Sequence, residues 1–238
     1  MWTQTLSLNK SYEREFACLL NEVAKLPEIS YATEKSRDRM FITVAAEDDN
    51  ANAVRQKLKK IIRNIILIFF KYNHLSESVN EPLSLSLFTL YAALIFFEAD
   101  EDKVVIENSL ESIRDYAIDS IFYFKMQSIM LKWNELAKLC NNLLSMNPSD
   151  DDILNVVAFL LDLQENKSEL VLSYGNGYEI RDAKNRVVQP LDFFDDPKQN
   201  LLLTLVSAKP GVIIVKNISD GDVLNILSKI AKVNSTDK

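Results

Sequence analysis

Glycine is nearly missing from this chain. Four occur in 238 residues, where a share of about 7% is usual. All four lie late, at Gly175, Gly177, Gly211 and Gly221, and the first 174 residues hold none. Glycine supplies the left-handed backbone of tight turns and lets a chain approach a phosphate closely. A glycine-rich phosphate loop is therefore excluded from the first three quarters, which are expected to be dominated by helices and long connections. Histidine and cysteine are just as scarce: His74 is the sole histidine, and Cys18 and Cys140 are the only cysteines. No HExxH motif and no Cys/His metal spacing can be built from them. Two remote cysteines fit buried thiols in a reducing compartment better than a disulfide framework. A Cys–His catalytic pair would need the fold to bring Cys18 or Cys140 to His74; a boundary histidine is the simpler reading.

Positive charge is in deficit. There are 27 Lys and Arg against 34 Asp and Glu, for a net charge of −7 and a pI near 4.9. Nucleic acid and anionic membranes both select a basic footprint, so neither is expected as the main partner. Long hydrophobic runs are absent too. The longest uncharged stretch, Pro82 to Phe97, has 16 residues and contains Ser84, Ser86 and Thr89. A bilayer span needs roughly 20 mostly apolar residues, so this stretch reads as a buried core helix. The start, Met1-Trp2-Thr3-Gln4-Thr5, has no basic or apolar region of a secretory signal. A cytoplasmic location is expected.

What the chain does have is apolar bulk, 47% of residues, with 26% charged. That suits a globular protein with a sizeable core. Residues 2–8 alternate as a strand. Asn9 then caps a helix to about Leu26, ahead of Pro27. Ile29–Thr33 and Met40–Ala46 read as strands around a polar turn. Glu47-Asp48-Asp49-Asn50 opens a helix reaching about Tyr72. The N-terminal order is β-α-β-β-α. A linker, His74 to Glu81, ends at Pro82, which suits a first helical position. Leu83 to Asn147 contains neither Pro nor Gly. The acidic cluster Glu98 to Asp102 is the expected break, with Asp102 as an N-cap. The stripe from Ile106 through Phe124 to Leu144 predicts one long helix or two with a kink.

Ser149-Asp150-Asp151-Asp152 predicts a capped helix to about Glu165. Leu170–Tyr174 and Tyr178–Ile180 flank Gly175-Asn176-Gly177, a strong hairpin signal. Arg186–Gln189 is expected as a third strand. A helix opens at Asp196-Pro197, a strand follows at Val212–Val215, and Ser219 and Asp222 cap a last helix to about Val233. The fold class is thus α+β and helix-dominated, ending in a hairpin-containing β-β-β-α-β-α segment. Residues 1–80 read as an N-terminal α/β segment. Residues 81–238 read as a helical section with a C-terminal α/β segment, the whole possibly forming one unit.

Candidate surfaces are few. Arg55, Lys59 and Arg63 line one helical face, opposite Val54, Leu58, Ile61, Ile62 and Ile65. They could bind a phosphate, an acidic partner or a lipid surface, or simply be a solvated face. Phe193-Phe194, set between acids, could anchor a protein partner. The acidic clusters sit at expected helix starts, where capping explains them. Gly175-Asn176-Gly177 lacks the third glycine and the following helix of a dinucleotide fingerprint.

The C-terminal text carries a family likeness. Val157-Ala158-Phe159-Leu160-Leu161-Asp162-Leu163-Gln164-Glu165 runs into a strand and the hairpin. Then come Leu201 through Pro210 and Gly211-Val212-Ile213-Ile214-Val215. This order resembles the YtxC-like sporulation proteins of spore-forming bacteria, in which a helix ending "FVDIQ", a β-hairpin, a helix with an "alpha-Pro" end and a hydrophobic strand follow in turn; here Ser-Ala-Lys stands before Pro210. Arg114-Asp115-Tyr116 and the basic helix near Tyr72 sit where that family has similar text. The resemblance implies a bacterial cytoplasmic protein of undefined biochemical role, and it supplies no catalytic residue. No cofactor, metal ligand or catalytic residue is read from the chain itself. The leading reading is a non-enzymatic interaction or structural protein, self-associating through Ile65–Phe70 and Leu83–Phe97 or meeting a protein partner. The alternatives are a ligand binder or enzyme built on Arg, Lys and carboxylates, and peripheral membrane association through residues 54–72.

Overall fold

The computed structural model describes residues 1–77, 83–111 and 115–235. It is an α+β, helix-dominated fold with two separate four-stranded sheets. Contacts group the chain into two compact units, residues 1–74 with 98–135 and residues 75–97 with 136–238. The expected linker end and Pro82, and Arg114 of the family likeness, lie outside the described residues.

The N-terminal unit follows the expected order. Strand β1 (Trp2–Asn9) pairs antiparallel with β3 (Arg39–Ala46), with Leu6 opposite Ile42, and β2 (Ser30–Lys35) joins the other edge of β3. Alternation decides which face is buried: Met40, Ile42, Val44 and Ala46 of β3 are all in the core. Helix α1 (Glu13–Ala24) follows a single 3-10 turn (Lys10–Tyr12) capped by the Asn9 side chain. Helix α2 (Ala51–Ile65) buries Val54, Leu58, Ile61, Ile62 and Ile65. One π-helical turn (Ile66–Phe70) continues it into α3 (Lys71–Ser76). The π turn is apolar on every side and entirely buried.

The long periodic run does not form one helix. It divides into α5 (Ala99–Glu111), α6 (Ile118–Lys125) and α7 (Gln127–Leu144), with a short strand β4 (Tyr116–Ala117) parallel to β1. The strand wins because the β1 edge offers backbone partners at Leu6 and Ser7. The Tyr116 ring is buried, and its hydroxyl donates to the Leu110 carbonyl at 3.2 Å. Side-chain periodicity carries no trace of that edge. Asp102 is not a cap. It lies one turn inside α5 and is 1% exposed. The Lys71 ammonium, also fully buried, donates to Asp102 Oδ2 at 2.8 Å, and Trp133 Nε1 donates to the same oxygen at 3.0 Å. Burial holds the Lys71 pKa below its ordinary value, against the opposing pull of Asp102.

In the C-terminal unit, α4 (Leu85–Phe96) begins at Ser84, whose hydroxyl accepts from the Leu87 amide at 3.1 Å. It is buried all round from Ser86 to Ile95, packed by α8 (Asp150–Asp162) and α9 (Pro197–Ser207). Ile65–Phe70 is thus core, and within Leu83–Phe97 the span Ser86–Ile95 is buried, so most of both candidate self-association stretches is interior. Helix α8 has the full capping box, with Ser149 and Asp152 serving each other's backbone amides. The second sheet has the order β6-β5-β7-β8. Strands β5 (Ser168–Tyr174) and β6 (Tyr178–Asp182) form the expected hairpin. Strand β7 (Pro210–Lys216) runs parallel to β5, and β8 (Lys232–Ser235) parallel to β7. Helices α9 and α10 (Gly221–Ile230) make the two crossovers.

Three local expectations need correction. Arg186–Gln189 is no strand, since only one bridge, Arg181 to Val187, forms. The fourth strand is instead β8, at the polar text Lys232–Ser235. The cap of α10 is Asp220, whose carboxylate accepts from the Val223 amide at 3.2 Å. Neither glycine of the hairpin tip has positive φ. Gly211 is needed for another reason: a Cβ there would lie 2.9 Å from Lys167 Cβ.

Candidate functional site

A concave feature of the C-terminal unit lies at the hairpin tip. A cavity of about 780 Å³ opens between the β5–β6 hairpin, the connection from Val187 to Asp195, and the start of α9. Tyr174 and Tyr178 face each other across the hairpin, directly paired in the ladder. Their rings meet edge to face with centroids 5.0 Å apart, a preferred arrangement for aromatic pairs. Tyr174 is 49% exposed. The Tyr178 phenol is held above its ordinary pKa, chiefly by burial and then by the Asp220 carboxylate, with Lys198 opposing.

One side chain fixes the opposite wall. The Asn200 side-chain carbonyl accepts from the amides of Phe193 and Phe194 at 3.0 and 2.8 Å. Its Nδ2 donates to Asp192 Oδ1 at 2.8 Å and to the Phe194 carbonyl at 2.6 Å. One turn on, the Thr204 hydroxyl accepts from the Leu191 amide at 2.9 Å and donates to the Asn200 carbonyl at 2.7 Å. The connection is therefore laced to α9 at both ends of its apolar segment. Such a wall is set before any ligand arrives, which lowers the ordering cost of binding.

Of the sequence-predicted surface residues, Phe194 is among those that line the recess, and the others fall elsewhere. Phe193 and Phe194 are not exposed anchors: they are 8% and 5% accessible. Phe194 packs edge-on against Phe88 of α4, centroids 4.9 Å apart, and only part of it lines the cavity. The basic stripe on α2 is partnered within its own unit. Lys59 Nζ lies 3.8 Å from Glu111, Arg63 pairs with Glu107, and the Arg55 guanidinium sits over the Trp2 ring at 5.6 Å. The side chains of Lys59 and Arg63 are 14% and 18% exposed. Two glutamates of α5 thus neutralise most of the charge that the stripe carries in sequence.

His74 sits beside Asn134, with Nε2 2.7 Å from Oδ1. The buried Cys140 thiol is pushed up to about 11 by desolvation, which suppresses the thiolate on which cysteine chemistry depends. Asp152 and Asp196 serve helix starts as expected. Among the described residues no group of three or more His, Cys, Asp and Glu is arranged to hold a metal ion. Among them, too, no helix is long and apolar enough to cross a membrane.

Sequence reasoning passed over the residues that build the cavity. Tyr174 and Tyr178 bracket the glycine pair that was read only as a turn. Asn200 and Thr204 are polar residues four apart on the apolar text of α9, and that spacing was the available signal. No family model, curated protein or solved structure matches the chain. The YtxC-like likeness accordingly rests on the residues quoted for it.

Proposed function

We propose that this chain is a non-enzymatic binding protein, and that its C-terminal cavity is the binding site. The observation that carries this reading is a recess of about 780 Å³ whose wall is pinned by Asn200 and Thr204. Small-molecule sites fall at roughly 300–1,000 Å³, with apolar lining and a few placed polar groups. The polar groups at the recess are phenols, carboxylates and amides, which offer hydrogen-bond donors and acceptors to an occupant. The occupant is a small molecule or the side chain of a protein partner.

The test is a thermal-shift screen of the full chain with metabolite cations, anions and neutral compounds. A ligand at about 100 times its Kd adds roughly 2.7 kcal/mol, or on the order of 5–11 °C for a chain of this size. Val187 lines the recess and is 57% exposed, so Val187→Trp should fill the mouth at little cost to the fold. A saturable shift that this variant abolishes is expected. A shift that survives it places the ligand elsewhere and rejects the cavity.

A second reading, self-association, is favoured by one observation. Helix α8 and its C-cap present Phe159 and Leu163, 61% and 56% exposed, beside the half-buried Val156 and Leu160. This is a second apolar stripe on a helix already buried on its other face. Sedimentation velocity over a wide concentration range tests it; a monomer throughout ends it.

A further inference from the structure

The chemistry of the recess is one-sided. Its charged lining residues are Glu179, Asp192 and Asp195, and among the described residues no Lys or Arg lines it. The basic groups nearby are committed. Arg181 Nε holds Glu179 at 2.6 Å, and Lys198 Nζ holds Asp220 at 2.6 Å. The positive end of α9 is already answered: Asp196 accepts from the Lys198 amide at 2.8 Å, and the first helical residue, Pro197, has no N–H to offer. Glu179 is thus answered by Arg181 and Asp192 accepts from Asn200, so an anion entering the recess would meet the exposed Asp195 carboxylate and, at the start of α9, a proline and an amide already taken by Asp196. A cation would meet that carboxylate as a partner. Tyr174 and Tyr178 line the recess, and an aromatic face carries the negative side of the ring quadrupole. Burial holds the Tyr178 phenol above its ordinary pKa, so it adds an acceptor oxygen without adding charge. Asp195 is exposed on the rim.

We infer that the C-terminal recess binds an organic cation, an ammonium or guanidinium group held between the Tyr174–Tyr178 pair and the Asp195 carboxylate. This inference rests on the reading of the recess as the binding site. The same cationic group occurs on free amines and on Lys or Arg side chains of proteins, and both fit a recess that is open on one side. Binding is predicted to weaken as salt rises, because the rim carboxylate is solvent-screened.

The test is isothermal titration of the full chain with agmatine and putrescine as free cations, and with N-acetyl-lysine amide as the side-chain form. Acetate and phosphate are the opposite-charge controls, and amide chemical shifts locate each binding event. The expected result is saturable binding of the cations with shifts at Tyr174, Tyr178 and Asn200, and none with the anions. Tyr174→Ala should weaken it about tenfold, the range of one lost cation–π face. Asp195→Asn should weaken it several-fold at low salt and less at high salt. Preference for agmatine or putrescine assigns a free amine; preference for N-acetyl-lysine amide assigns a protein side chain. Anions or neutral compounds binding at these residues would overturn the cation inference while sparing the cavity reading. Cation binding that moves other amides, or that neither variant weakens, would overturn it as well. No shift at these residues with any member of the panel would end both.

Discussion

Two charged regions of this molecule differ in what the fold sets against them. Arg55, Lys59 and Arg63 form a basic stripe on α2; Glu179, Asp192 and Asp195 gather at the C-terminal recess. The stripe is closed by Glu107 and Glu111, residues of α5 more than 40 positions away. At the recess Glu179 is held by Arg181 and Asp192 accepts from Asn200, but Asp195 stands exposed at an open volume lined by two tyrosine rings. A run of like charge therefore says little about availability until its partners are known. The α2 stripe was a candidate binding surface in sequence and is a packed helix–helix contact in the fold. The recess was read as a hairpin turn and is the candidate site.

The largest effect is expected where charge is most deeply closed. Asp102→Ala leaves the Lys71 ammonium buried without its carboxylate, and should cost about 3–5 kcal/mol. Both tryptophans, Trp2 and Trp133, belong to the N-terminal unit, so a urea melt followed by tryptophan fluorescence reads that unit alone. The double replacement Lys71→Met with Asp102→Leu should recover most of the loss. A loss below about 1 kcal/mol for Asp102→Ala would show that the pair is not closed as described.

In the other region the corresponding residue is Asn200. Asn200→Ala removes the acceptor shared by the Phe193 and Phe194 amides, and should cost about 1–3 kcal/mol. Hydrogen exchange at those two amides should rise while exchange in β7 stays slow. Unchanged protection would mean that the wall is held by something else.

Alkaline pH gives a smaller effect of definite sign. The folded chain keeps the Cys140 proton from the ordinary value of 9.0 up to about 11, while the unfolded chain releases it. The folded state then binds more protons, so stability falls as pH rises through this window, by about 2 kcal/mol. Tyr12, Tyr72 and Tyr116, raised chiefly by burial, act in the same direction. Lys71, held low, acts in the opposite one. Cys140→Ala should flatten the fall between pH 9 and 11; an unchanged slope would contradict the assignment. The smallest effect is expected at the α2 stripe. Lys59→Ala should cost under about 1 kcal/mol, as partly exposed pairs do, and flotation with anionic vesicles should be negative for wild type. Vesicle binding at low salt that Lys59→Glu removes would reopen the stripe as a surface.

Much of the fold was legible because its signals are local. Asn9, Ser149 and Asp196 announce helix starts through their own backbone neighbours. Alternation in Met40–Ala46 fixes which face of β3 is buried, and Gly175-Asn176-Gly177 locates the hairpin. What escaped depends on distant partners. Tyr116-Ala117 becomes a strand only because β1 presents an edge, and polar Lys232–Ser235 only because β7 does. Asp102 looked like a cap because capping is the local use of an acid. Its actual use requires Lys71 and Trp133, each 31 positions away. The candidate site escaped for the same reason. Its tyrosines, its carboxylates and Asn200 come from separate segments that only the folded sheet and α9 bring to one recess.

The most direct measurement is an amide chemical-shift titration of the full chain with agmatine. The amides of the hairpin tip, Ser173 to Ile180, and of the wall, Val187 to Thr204, should move together and saturate, while those of Arg55 to Arg63 stay still. Shifts confined to α2, or a saturated titration that leaves Tyr174, Tyr178 and Asn200 unmoved, would contradict the assignment of the recess as the binding site.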